Sequence, residues 1–485
     1  MAISSVVSVL LVTACAAPAG TVAEPGERAG PDTAEAAPLT SREAAEVLAT
    51  TVADAAGSEA EASSTTAAGE RALEVRVDVV DDPDEYAIET QGDFAVWWDP
   101  DVPEIEDTVP EVFELLTDVQ SDATTNLGFG PLPTAEVGQY LNVYVHVPGD
   151  DRFPDFLGNG LGYSDVGMPY LAMPLGAHND PTNVRHEAYH AMQSTSDYDV
   201  FEDDADAIWI IEASAEWYQH VRSDDDPRAF ITAAAAYATP HLALWHLPET
   251  GRSDDPDDND WLYGVRQYSM GTFLYYLTEH AGVDRAAVAS VFAGDVDVSP
   301  QRHLFDTVGG ARLGSSFADW AVATAVGFDY LTADQSAVAL EELAAFASPD
   351  EVAAHVVTMV DPDDVTFSPP PELAPRSWAY NSIRIENTSD AIYSIDVVGA
   401  PTGSEGEPAQ LAARVAVRSA AGDVRFVDVP MTSATEGRVD VEVAADDVEI
   451  YVVIASIPEN FAGNEHYNYD VEVARTPRDA EPATE

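Results

Sequence analysis

His186-Glu187-Ala188-Tyr189-His190 constrains this chain more tightly than any other stretch, because the pattern makes chemical sense only on a helix. Positions i and i+4 stack on one helix face, so both imidazoles can reach a shared ion while Glu187 leans toward a water on that ion. Asp180-Pro181 supplies an N-cap and a first-turn proline just upstream, which predicts a helix from there to about Ser194.

Two imidazoles on one ion need a third protein ligand and an open position for water, the arrangement zinc adopts in hydrolytic sites. Glu212 lies 22 residues after His190, in the apolar helix start Ile208-Trp209-Ile210-Ile211-Glu212-Ala213-Ser214-Ala215-Glu216-Trp217. Glu212 and Glu216 share a helix face and repel unless a cation or imidazolium offsets them. Zn2+ on His186, His190 and Glu212, with Glu216 accepting the free ring N–H of a ligand histidine, resolves that conflict. Glu202, Asp203 and His220 are the rival third ligands, placed in the acidic loop Asp197 to Asp204 and at the helix end.

These residues resemble the gluzincin metallopeptidases, whose site is HExxH followed by a Glu ligand on a second helix. More narrowly, HExxHAxQ from His186 to Gln193 and WxxEAxAxW from Trp209 to Trp217 look like a group of secreted prokaryotic metalloproteases. The resemblance covers roughly Phe94 to Gly282 and departs at Glu216, where thermolysin-like enzymes carry Asp. It implies zinc-dependent peptide-bond hydrolysis with Glu187 as general base, a protein or peptide substrate, and a β-rich C-terminal domain. Arg266 to Phe273 resembles the block that follows the ligand helix in those proteases, which makes Tyr268 the candidate donor to the oxyanion. Tyr263, His246 and His280 compete for that role.

Composition narrows the setting. The formal net charge of −66 comes from 87 acidic against 21 basic residues, and every basic residue is Arg. High salt screens such self-repulsion while hydrated carboxylates keep the surface soluble, so the chain reads as a halophile's protein. No basic stripe exists to neutralise phosphates, which argues against nucleic acid as a partner.

The one cysteine, Cys15, follows the apolar stretch Val6 to Ala14 in a manner that resembles a lipoprotein signal peptide, although Met1 to Ser5 carry no Lys or Arg. Residues 1–15 are then the leader, and lipid on Cys15 holds an extracellular protein to the membrane. Residues 16–70 lack any aromatic residue and read as a disordered tether.

The expected fold class is α+β: a zincin-like domain over 71–360, then a Pro-rich linker at 361–376, an all-β sandwich at 377–478 and a tail at 479–485. The first domain opens on strands at Leu73 to Val79, Phe94 to Trp98 and Tyr140 to Val147, with a helix from Glu104 to about Thr125, giving a small mixed sheet. Gly158 to Gly162 reads as a surface turn, and Tyr170 to Met173, fenced by prolines, as an edge strand able to pair with an extended peptide. Helical patterns follow at Asp206 to Arg222, Tyr263 to His280, Arg285 to Phe292, Ser316 to Val326 and Ser336 to Ala347. Asp254 to Asp260 lacks the Gly and distal Glu of an EF-hand and reads as a solvated loop. Beyond the linker, seven period-two segments argue for the sandwich. Its ligand, a glycan or a protein, stays open, as does the alternative of a non-catalytic surface-binding lipoprotein whose peptidase-like domain is inactive. The intact Glu187 favours the enzyme.

Overall fold

The computed structural model describes residues 73, 85–147, 159–164, 167–196, 206–246, 265–293, 298–347, 357–360, 365–386 and 388–478. The expected leader with Cys15, the expected tether, most of the expected strand at Leu73 to Val79, the expected loops at Asp197 to Asp204 and Asp254 to Asp260, Tyr263 and the expected tail lie outside them. The described chain divides into two compact units: one built from 85–117, 132–147, 159–164 and 167–180, the other from 118–131 and everything from 181 onward.

The first unit carries a five-stranded mixed sheet in the order β1-β2-β3-β5-β4, with β1 Ala87–Gln91, β2 Phe94–Trp98, β3 Leu141–His146, β4 Gly160–Tyr163 and β5 Pro169–Pro174. The three parallel-paired strands β2, β3 and β5 are buried on both faces, which is why FAVWW, LNVYVH and PYLAMP read as continuous apolar runs. The Trp97 indole donates to Asn142 Oδ1 at 2.9 Å, joining β2 to β3.

Two expectations are corrected here. The glycine-rich segment is not a turn but the edge strand β4, and the proline-fenced segment is not the edge, because β4 pairs antiparallel along it. Prolines at the two ends of a strand leave its interior amides free to pair. Glycine at 162 is a packing requirement, since a Cβ there would collide with the Tyr170 ring.

Helix α1, Val109–Asp122, is divided between the units after Thr117; in the second unit, helices α2 Pro181–Gln193 and α3 Trp209–Arg222 pack side by side. The pattern expected as one helix from Tyr263 to His280 is broken into α4 Arg266–Ser269, α5 Gly271–Tyr275 and a π turn Tyr276–His280. The break lets Gly271 lie directly on α3, where an added Cβ would sit 2.8 Å from the Ala213 carbonyl oxygen and 2.9 Å from Glu216 Cβ. Helices α6 Pro300–Val308, α7 Gly310–Ala325 and α8 Ala333–Phe346 complete the layer. The turn Pro227–Ala233 and α6 have no counterpart in the sequence reading.

Two sheets face each other in the same unit. One has the order β11-β10-β13-β8-β6 and the other β12-β9-β14-β7. Their strands are β6 Val357–Val360, β7 Val365–Phe367, β8 Ala379–Glu386, β9 Ala391–Gly399, β10 Leu411–Ser419, β11 Val424–Asp428, β12 Glu436–Val443, β13 Asp447–Ser456 and β14 Tyr469–Pro477. Ile383, Val415 and Val452 from one sheet share a core with Ile395, Val441 and Val471 from the other. All seven expected strands are present. Strands β9, β12 and β14 alternate buried and exposed, whereas β8, β10 and β13 are buried more fully because α7 covers their outer face. On β10, Arg414 reaches Asp319 Oδ1 (2.6 Å) and Ser315 Oγ (3.0 Å), and Arg418 caps the Val326 carbonyl just past α7. Trp378 adopts a left-handed backbone (φ 52°), with its indole donating to the Pro458 carbonyl at 3.0 Å and packed on Phe317.

The expected linker does not separate compact units. Strand β7 lies within 361–376 and pairs with β14, and the helical layer and the sandwich belong to one unit. Among the described residues no helix is long and apolar enough to cross a membrane.

Gly162→Ala should drive the Tyr170 ring into the packed Trp97–Tyr144 cluster, an overpacking that costs about 1–3 kcal/mol. A urea titration comparing the variant with the parent checks this; unchanged stability would mean β4 is not seated as described.

Candidate metal centre

Helix α2 sets His186 and His190 one turn apart on one face, and α3 does the same with Glu212 and Glu216. Where the faces meet, His186 Nε2 lies 3.2 Å from Glu212 Oε2, His190 Nε2 lies 3.3 Å from the same oxygen, and the two Nε2 atoms are 3.1 Å apart. These edges are close to the roughly 3.3–3.4 Å that ligand bonds of about 2.0–2.1 Å impose between donors around a tetrahedral ion. A single proton can bridge only one edge of such a triangle, whereas an ion satisfies all three donors. His186, His190 and Glu212 thus form a buried group that could hold a metal ion.

Behind the triangle, His186 Nδ1 lies 3.3 Å from Glu216 Oε2, so this histidine stands between two carboxylates. The other oxygen of Glu216 accepts a 2.5 Å hydrogen bond from Thr232 Oγ1, a contact that sequence reasoning missed because Thr232 sits in an irregular turn without periodic pattern. The rival ligand His220 is turned away from the triangle: its Nε2 lies 3.5 Å from Glu216 Oε1 and its ring stacks on Phe230 at 4.3 Å. Glu202 and Asp203 lie outside the described residues.

Electrostatics divides the acids into two kinds. Burial disfavours the ionised form of Glu216, but hydrogen bonds from His186 and His220 outweigh it and hold the carboxyl at about 2. Glu212 is likewise pulled down against burial, by the charge of His190 and hydrogen bonds from both histidines. For His186 burial favours the neutral ring, yet Glu212 and Glu216 raise it to about 10. Glu187 goes the other way: burial, aided by the charge of Glu212, pushes it up despite His186 and His190. The surroundings therefore favour the ionised form of Glu212 and Glu216 and the protonated form of Glu187.

Tyr268 on α4 brings its ring to 5.9 Å from that of His186. Burial first, then the charges of Glu212, Glu187 and Glu216, push its phenol well above 10, so it stays a donor. Its hydroxyl lies beside Glu212, whose charge and hydrogen-bonding oxygen both favour the protonated phenol. The competitors have their contacts elsewhere. His246 bonds Arg376 at 2.8 Å, and burial with the charges of Arg376 and Arg266 depresses it to about 3. His280 stacks on Tyr276 at 5.5 Å, and Tyr263 lies outside the described residues.

No protein-family model and no curated protein matches this chain. Among solved structures, it is similar to the pre-peptidase C-terminal domain of a collagenase from Bacillus anthracis (6% identity, 25% of this chain and 94% of that one, TM-score 0.16). It is similar also to a structure of infectious bursal disease virus, Gx strain (12% identity, 25% of this chain and 32% of that one, TM-score 0.15). A third is a family GH115 4-O-methyl-alpha-glucuronidase with specificity for decorated arabinogalactans (11% identity, 72% of this chain and 54% of that one, TM-score 0.15). At these TM-scores none of the three bears on fold or function here.

With His186 raised to about 10, the metal-free protein carries a proton there at pH 8, and a metal ion must displace it. Metal uptake at pH 8 should release about one proton from this ring, and affinity should strengthen with rising pH up to about 10 and weaken as pH falls. Calorimetric titration in two buffers of different ionisation enthalpy measures the release; buffer-independent heats would contradict it.

Proposed function

We propose that this chain is a zinc-dependent peptidase working outside the cell, with His186, His190 and Glu212 as the metal ligands and Glu187 as the general base. The observation that carries the reading is the buried triangle of ligand atoms with an up-shifted glutamate one residue along the same helix. A zinc ion bound there supplies Lewis acidity, lowering the pKa of a water and polarising a carbonyl.

The remaining chemistry belongs to the chain. Glu187, whose affinity for a proton is raised by burial, takes a proton from the attacking water and delivers it to the leaving amine nitrogen. Tyr268 keeps its proton and offers its buried hydroxyl to the oxygen that gains charge. Glu216, anchored by Thr232, holds His186 so that Nε2 faces Glu212. Burial of His186, Glu187, His190 and Glu212 to 5% exposure or less keeps bulk water from screening these charges. The same proposal has the chain exported and held by lipid on Cys15, as its N-terminal resemblance implies.

Glu187→Gln should retain about one equivalent of metal and lose hydrolysis by about 10²–10⁴-fold, while Glu212→Ala should lose both. Elemental analysis of protein purified in high salt, paired with casein digestion with and without a chelator, reads both outcomes. Undiminished cleavage by Glu187→Gln would remove the mechanism.

A further inference from the structure

Gln193 lies three residues beyond His190 on α2 and is fully buried. Its side chain joins α2 to α3 through three contacts: Oε1 is 2.7 Å from His190 Nδ1, and Nε2 is 2.9 Å from the Ile211 carbonyl oxygen and 2.8 Å from Ser214 Oγ. The direction of every bond follows from one fact. A backbone carbonyl only accepts, so the amide NH2 must face Ile211 and the amide oxygen must face His190. An amide oxygen also only accepts, so the proton of His190 must be on Nδ1. His190 Nε2 is thereby left with a free lone pair, directed at the point it shares with His186 and Glu212.

We propose that Gln193 is a positioning residue that fixes His190 as the Nδ1–H tautomer and ties its ring to α3 on both sides of Glu212, through the Ile211 carbonyl and the Ser214 hydroxyl. Ile211 and Ser214 bracket that ligand, so the second and third donors are placed by one side chain. The first donor, His186, is set separately by a carboxylate, Glu216. A neutral amide adds no negative charge to a centre that already buries Glu187, Glu212 and Glu216. The inference rests on reading His186, His190 and Glu212 as metal ligands.

Two substitutions separate positioning from mere packing. Gln193→Met keeps the length and removes every hydrogen bond, whereas Gln193→Glu keeps an acceptor for His190 and sets an oxygen against the Ile211 carbonyl. Zn2+ affinity of the full chain, measured by competition with a chelator, should weaken about 10–100-fold in Gln193→Met and only a few-fold in Gln193→Glu. Thermal stability of the metal-free protein should fall in both. Parent-like affinity in Gln193→Met, or equal losses in the two variants, overturns the proposal. Should Gln193→Met fail to fold, nitrogen-15 NMR of the His190 ring in the metal-free parent at pH 8 decides: protonation at Nδ1 supports the proposal and protonation at Nε2 alone overturns it. A folded parent that takes up no Zn2+ fails at the ligand reading itself, and that result overturns both.

Discussion

One imidazole between two carboxylates is the contact on which the centre depends. Glu212 and Glu216 are buried one turn apart, and two such anions at roughly 6 Å repel by about 3 kcal/mol at an effective dielectric near 20. His186 reaches both, one ring nitrogen to each. Protonated, it offsets their mutual repulsion directly. With an ion in the triangle, the ion offsets Glu212 and the ring N–H still serves Glu216. The packing of α2 on α3 is therefore fixed in register by charge as well as by apolar contact, and Gly271 lets α5 close against α3 at the turn that carries Glu216.

Much of this site is legible in the sequence because it is helical and local. Spacing by four places His186 with His190 and Glu212 with Glu216, and the mutual repulsion of the latter pair already asks for a cation between them. What spacing cannot supply is the tertiary partner. Thr232 comes from an unpatterned turn, and the role of Gln193 emerges only when the Ile211 carbonyl is seen beside it. The sheets divide in the same manner. Strands with a solvated face announce themselves by alternation, as in β9 and β14. Short β6 and β7, near several prolines, give no such signal, and the glycine-rich β4 mimics a turn although the small size of Gly162 serves the Tyr170 ring instead of a bend.

A chain without lysine makes its cationic contacts outside the histidines with guanidinium, and the geometry of that group shows in where the arginines go. Arg266 is buried and donates to the carbonyls of Thr239, Leu242 and Ala243, gathering a loop that has no regular ladder of its own. Arg414 and Arg418, on one face of β10, fasten the sheet to the side and the carbonyl end of α7. An ammonium offers a point charge; these sites use a planar fork that reaches several oxygens at once.

Trp378 gives the joint between α7 and the sandwich a directional character. A tryptophan in the left-handed region is held there against about 1–2 kcal/mol of backbone preference. What holds it is the Pro458 carbonyl and the rings of Phe317 and Phe461. Phe317 belongs to α7 and not to the sandwich, so a sandwich excised by itself loses part of that grip. Strand β8, which follows Trp378, would then be free to leave the turn in a different direction, and a ligand screen on the isolated fragment would sample a surface that the intact chain does not display.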